Sequence, residues 1–196
     1  MNILFILLIV FLTSCTPISK INQPLPAEIT KYVASINAAS SNYLNKKKNN
    51  PNACHNTQRI ILVGGCFDLL HNAHYDYLRK SRALGDYLIV ALEPDETIIK
   101  YKKRKPVFNQ QERAKNLSAI RYVDEVLMLP TLNGYKDYLQ LVRDVCPDVI
   151  AVTAGDPQIE NIKKQAKLVD AEVTEVIGLI DGISTTDLIR KIKQMK

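Results

Sequence analysis

Histidine is scarce in this chain, three among 196 residues, yet His71 and His74 stand three positions apart in GGCFDLLHNAH, residues 64–74. Cysteine is sparse too. Cys15, Cys54, Cys66 and Cys146 lie far apart with no CxxC pair, which argues against a zinc site or a dense disulfide framework and leaves free thiols as the simplest reading. No internal repeat is visible, so nothing suggests a repeat architecture. No apolar run is long enough to cross a bilayer comfortably: ILFILLIVFL, residues 3–12, falls short of the roughly 20 residues such a helix needs.

What is present is a chain with 46% hydrophobic and 23% charged residues, enough for one sizeable core and one domain. A formal net charge of +6 suits a protein that handles anions, whether phosphates, nucleic acid or an acidic membrane surface; charge alone does not choose among them. The run at 3–12 has the length of a signal-peptide core, and LTSC, residues 12–15, resembles a bacterial lipobox with Cys15 as the lipidated residue. Only Met1 and Asn2 precede it, without Lys or Arg. Residues 1–14 therefore read as a signal peptide or hydrophobic anchor, against an uncleaved tail or a start placed too far upstream. Residues 15–58 read as a linker: Ile29, Tyr32, Val33, Ile36 and Tyr43 have helix-like spacing, and NKKKNNPNACHNTQ carries little to bury.

From 59 to 196 short apolar runs alternate with longer amphipathic segments. The expected strands are 60–65, 86–92, 125–130, 148–153 and 172–177, and the expected helices 73–84, 110–120, 135–144, 158–169 and 184–195. Strands buried on both faces and separated by helices imply a doubly wound, Rossmann-like parallel sheet of about five strands with helices on both faces. Ligands in such folds sit at the carboxyl ends of the strands, which is where GGCFDLLHNAH falls.

Gly64 and Gly65 let backbone and ligand approach closely, and the free N–H groups of the following helix favour a phosphate. At i and i+3, His71 and His74 put both rings on one side of that turn, where imidazoles stabilise charge that grows in a transition state. The competing reading is two helix-start histidines satisfied locally. Arg113 and Arg121, eight residues apart, are expected to share a helix face.

At these residues the chain resembles the HxGH nucleotidyltransferase superfamily, with the pattern G-x-F-D-x-x-H-x-G-H matched by Gly65, Phe67, Asp68, His71 and His74 and with Ala73 replacing the last glycine. ALGDYLIVAL (83–92), IRYVDEV (120–126), Gly155–Asp156 and GISTTDLI (182–189) follow in the order of its cytidylyltransferase-like branch, which includes glycerol-3-phosphate cytidylyltransferases and heptose 1-phosphate adenylyltransferases. The resemblance implies transfer of CMP or AMP from CTP or ATP to the phosphate of a small alcohol or sugar. Pyrophosphate leaves with Mg2+ bound through the triphosphate, no nucleic acid takes part, and a homodimer is common among such proteins.

By the same resemblance His71, His74, Lys102 and Arg121 are the catalytic set. Gly64, Gly65, Cys66, Phe67, Asp68, Arg104, Gly155, Asp156, Ile183, Ser184, Thr185 and Thr186 face the nucleotide, and Asp68, Lys102 and Arg113 face the acceptor. YKKRK, residues 101–105, resembles the phosphate-binding loop of this family, against a solvated basic patch. The acceptor stays open, because Asp181 and Gly182 look like the heptose-phosphate type and IRYVDEV like the glycerol-phosphate type. Ala73 keeps open a binding module without turnover, and LTSC an exported lipoprotein. Nucleoside triphosphates are held in the cytoplasm, so a cytoplasmic or cytoplasm-facing, membrane-anchored domain is the expected placement.

Overall fold

The computed structural model describes residues 58–178 and 184–195. The expected anchor at 1–14, Cys15, the linker up to residue 57 and residues 179–183, Ile183 among them, lie outside the described residues. Five strands form one parallel sheet: β1 (Ile60–Gly65), β2 (Tyr87–Leu92), β3 (Glu125–Met128), β4 (Val149–Thr153) and β5 (Glu172–Ile177), in the order β3-β2-β1-β4-β5. Between them run α1 (Asn72–Arg82), α2 (Asp95–Lys102), α3 (Gln110–Ser118), α4 (Tyr135–Val145) and α5 (Ile159–Lys167), with α6 (Thr185–Gln194) last.

The unbroken apolar run of β1 follows from burial on both faces. Ile61 and Val63 pack with Leu88, Val90, Leu78 of α1 and Leu117 of α3. Ile60 and Leu62 point the other way, to Ile89, Val142 and Val145 of α4 and Ala166 of α5. Alternation along one strand thus feeds two cores, and helices cover both faces of the sheet.

The amino-terminal edge of the sheet is fastened by a repeated device. Asp86, Asp124 and Asp148 each stand just before a strand, and each carboxylate accepts a backbone N–H from the neighbouring strand or its lead-in: Asp86 from Arg59 at 2.8 Å, Asp124 from Leu88 at 2.8 Å and Asp148 from Ile60 at 2.7 Å. Buried strand starts otherwise leave such donors unpaired. Arg82 closes the edge with an ion pair to Asp124, 3.0 Å.

Several element ends fall short of the sequence expectation. β3 stops at Met128 rather than 130, where Pro130 has no N–H to extend the ladder. α3 stops at Ser118, so Arg121 lies beyond it, in the turn before β3, and shares no helix face with Arg113. Cys66 is a free thiol, whereas Cys146 is disulfide-bonded, which corrects the reading of four free thiols. Among the described residues no helix is long and apolar enough to cross a membrane.

Gly85 sits where β2 is about to begin, and a Cβ there would overlap the Ile61 side chain and come within 2.7 Å of the Arg59 carbonyl. That carbonyl already accepts from Asp86 and Tyr87 at 2.8 and 3.2 Å and has no room to retreat. Gly85→Ala is expected to cost about 1–3 kcal/mol, read as a lower urea midpoint; an unchanged midpoint would show that the strand start yields freely.

Candidate active site at the carboxyl end of β1

β1 ends at the switch in strand order, with β2 on one side and β4 on the other, the position at which doubly wound sheets open a crevice. The chain leaves it through Cys66-Phe67-Asp68-Leu69. Phe67 and Leu69 adopt left-handed backbone angles, φ 47° and 53°, each costing on the order of 1 kcal/mol for a side-chain-bearing residue.

Asp68 holds this loop in place. Its carboxylate, 2% exposed, accepts from the backbone N–H groups of Val107 (3.0 Å) and Phe108 (3.1 Å) and from the Arg104 guanidinium at 2.6 Å. Its carbonyl accepts the Thr185 hydroxyl, which ties the start of α6 to the same loop. One aspartate thereby joins the β1–α1 loop, the 104–108 segment and α6. Ser184 caps α6, accepting from Asp187 N at 3.1 Å, while Thr186 is exposed.

Arg113 is a second brace. Its side chain is fully buried and each of its three guanidinium nitrogens donates to a protein group: the Phe108 carbonyl at 3.1 Å, the Cys66 carbonyl at 2.5 Å and Asp95 at 2.6 Å. It underlies the loop and does not face a ligand, which corrects the expectation of acceptor contact.

α1 begins directly after the loop, with His71 as its N-cap residue; the His71 carbonyl accepts from His74 N at 2.9 Å. The two imidazoles stack, centroids 3.8 Å apart and 22° between planes. Phe67 supports His74 from behind at 5.2 Å and reaches Tyr77 at 6.3 Å, whose hydroxyl donates to Ala151 of β4 at 2.7 Å. Among the described residues the Nδ1 atoms of both histidines are buried without a hydrogen-bond partner. Buried polar atoms are rarely left this way unless a ligand or water completes them.

Burial holds the His74 imidazole down at about 3; the adjacent His71 adds to this and Asp68 opposes it. Burial lowers His71 as well. Both rings are neutral at pH 7. Gly64 is exposed, and a Cβ on it would meet nothing within 4 Å, whereas one on Gly65 would strike Phe67 at 2.9 Å. Open backbone at Gly64 therefore borders the crevice, while Gly65 is required by packing.

The remaining expected residues divide. Gly155, with φ 74°, and Asp156 follow β4, beside β1. Lys102 is exposed at the end of α2, and Arg104 lies in the segment after it. Burial pushes the Cys66 thiol up, helped by Glu93 and opposed by Arg113 and Lys102. Arg121 does not join them. It is exposed at the amino-terminal edge of the sheet, its guanidinium 5.0 Å from the Tyr122 ring, on the side opposite the histidines. The structure thus corrects its inclusion in the catalytic set. The sequence reading also passed over Glu93, which follows β2 and is bound by Thr97 and Tyr138; a carboxylate directly after the apolar run YLIVAL was the available signal.

A family model for cytidylyltransferase-like proteins matches residues 62–191. The chain is 34% identical over 141 residues to the bifunctional protein HldE of Helicobacter pylori, covering 71% of this chain and 29% of that protein. It is 36% identical over 141 residues to the ethanolamine-phosphate cytidylyltransferase of Mus musculus, covering 69% and 33%, and 38% identical over 139 residues to the FAD synthase of Thermococcus kodakarensis, covering 67% and 90%. It therefore spans about a third or less of the first two and most of the third. The lipopolysaccharide core biosynthesis protein of Thermoplasma volcanium superposes with a TM-score of 0.51 at 26% identity, over 63% of this chain and 97% of that one. A pantoate-beta-alanine ligase from Francisella tularensis, TM-score 0.53 at 16% identity over 81% and 75%, shares the fold.

The histidine geometry has a pH consequence. An unfolded chain takes up the His74 proton near the ordinary value of 6.5, whereas the folded one resists it until about 3. Stability from this site is complete above about 6.5 and falls as pH drops toward 3, by up to about 1.4 kcal/mol per unit. His74→Gln is expected to flatten the decline of the urea midpoint between about pH 7 and pH 4.5 relative to the parent chain; parallel declines would contradict a buried neutral imidazole.

Proposed function

Because the chain belongs to the cytidylyltransferase-like family of nucleotidyltransferases, we propose that it transfers CMP or AMP from CTP or ATP to the phosphate of a small alcohol or sugar, releasing pyrophosphate. The observation that carries this reading is the stacked, neutral pair His71 and His74, with unpartnered Nδ1 atoms, at the start of α1 beside open backbone at Gly64.

The acceptor phosphate oxygen attacks the α-phosphorus in line, and the bond to pyrophosphate breaks as the new one forms, without a covalent enzyme intermediate. What the protein must do is align two polyanions and offset their repulsion. Neutral imidazoles donate hydrogen bonds to the phosphate as its charge grows, and the dipoles of α1 and α6 add positive potential at the same point. In this reading Lys102 approaches the acceptor phosphate, Arg104, still paired with Asp68, offers its remaining N–H groups to the triphosphate, and Gly155 and Asp156 border the nucleotide. Arg113 positions the loop from below.

In this reading magnesium is carried by the oxygens of the triphosphate and by water. When bound, it neutralises charge on the leaving pyrophosphate.

A second reading, nucleotide binding without turnover, is favoured by Ala73. It is the second residue of α1, where the superfamily pattern has glycine, and its methyl group narrows the approach of phosphate to the helix start. Both readings meet in one assay of pyrophosphate release, using CTP or ATP with phosphorylated polyols and sugars. The parent chain is expected to turn over, and His71→Asn and His74→Asn to lose on the order of 100-fold in kcat. Turnover appearing only after Ala73→Gly supports the second reading. No release by either chain contradicts the transferase proposal.

A further inference from the structure

The crest that carries the histidines continues past β2, and there the structure holds a carboxylate that the reaction as described does not use. Glu93 follows Leu92, the last residue of β2, and its backbone N–H donates to the Gly65 carbonyl at 3.0 Å, so it stands beside the end of β1. Tyr138 of α4 donates its hydroxyl to one carboxylate oxygen at 2.8 Å, and Thr97 of α2 donates to the other at 2.9 Å. Two neutral hydroxyls aim the group and leave about half of its roughly four acceptor positions open.

The other carboxylates nearby are neutralised: Asp68 by Arg104 and Asp95 by Arg113. Glu93 has no ion pair among the described residues. A half-buried carboxylate that no cation offsets is costly unless something that binds there compensates it. Lys102 closes α2, the helix that begins two residues after Glu93, and supplies a cation on the element that follows this carboxylate.

Resting on the transferase reading above, we infer that Glu93, oriented by Tyr138 and Thr97, selects the acceptor: it accepts a hydrogen bond from a hydroxyl or ammonium group on the part of the molecule away from its phosphate. A short phosphorylated alcohol or amino alcohol, with its phosphate toward Lys102, meets both charges. An acceptor with a carboxylate in the same place is repelled.

Binding by the full chain, measured calorimetrically, tests this with three probes: glycerol 3-phosphate, phosphoethanolamine and inorganic phosphate, which lacks the distal group. A hydrogen bond to a charged group is worth about 1.5–3 kcal/mol, or about tenfold or more in affinity. The parent chain is expected to prefer at least one organic phosphate over inorganic phosphate by about tenfold. Glu93→Gln is expected to cut that preference to about threefold or less while CTP and ATP affinities stay within about twofold. A larger loss for phosphoethanolamine marks an ammonium acceptor, and a larger loss for glycerol 3-phosphate a hydroxyl one. Tyr138→Phe, which keeps the charge but frees it to swing, is expected to lose about threefold, and melting temperatures within a few degrees of the parent show that α4 has not detached. The inference is overturned if Glu93→Gln retains the preference, if the parent chain has none, or if nucleotide affinity falls equally. Failure of the parent chain to bind CTP or ATP is a separate signal, and it overturns the transferase reading itself.

Discussion

The buried carboxylate of Asp68 is the constraint on which the candidate site depends. Burial of this charge is sustained by the backbone donors of Val107 and Phe108 and by the Arg104 guanidinium, and what those partners receive in return is position. The Phe67 and Leu69 backbone, strained into left-handed angles, is held by a network reaching the 104–108 segment and, through Thr185, α6. Removing one partner of such a buried set costs several kcal/mol, because the remaining charge is left uncompensated. His71 and His74 inherit their stacked geometry from this loop. The phosphate-facing chemistry is thus arranged by a carboxylate that does not itself face the phosphate.

The two edges of the sheet divide the work. At the amino-terminal edge, Asp86, Asp124 and Asp148 cap backbone donors and fix register. At the carboxyl edge, loops from β1, β2 and β4 and the starts of α1 and α6 converge, and there backbone strain coincides with imidazole nitrogens and a half-buried glutamate that have, among the described residues, no hydrogen-bond and no ion-pair partner respectively. Strain and unmet polar groups are tolerated where binding compensates them.

Much of this was legible in the sequence, for physical reasons. Runs such as IILVGG and DYLIVAL are apolar on both faces, and only a parallel sheet covered on both sides accepts them, so all five strands fell in the expected order. The pairing of His71 with His74 after GGCFD marked the loop, because phosphate sites at helix starts need close backbone approach and donors together. Arginine roles were not legible. Arg113 and Arg121 share a spacing compatible with two helical turns, but α3 ends at Ser118, and spacing alone does not reveal that one guanidinium is buried and bonded through all three nitrogens while the other lies at the far edge. Glu93 escaped notice because its meaning depends on Tyr138, 45 residues away.

The central claim is that the neutral imidazole pair receives the nucleotide's phosphates. Nitrogen-15 spectra of the two histidine side chains, recorded as the full chain is titrated with CTP and with ATP in the presence of magnesium, test it most directly. Both rings are expected to shift together with the better nucleotide, and the His74 pKa to rise from about 3 as the anion favours its protonated form. Tight nucleotide binding that leaves both rings unshifted would contradict the account.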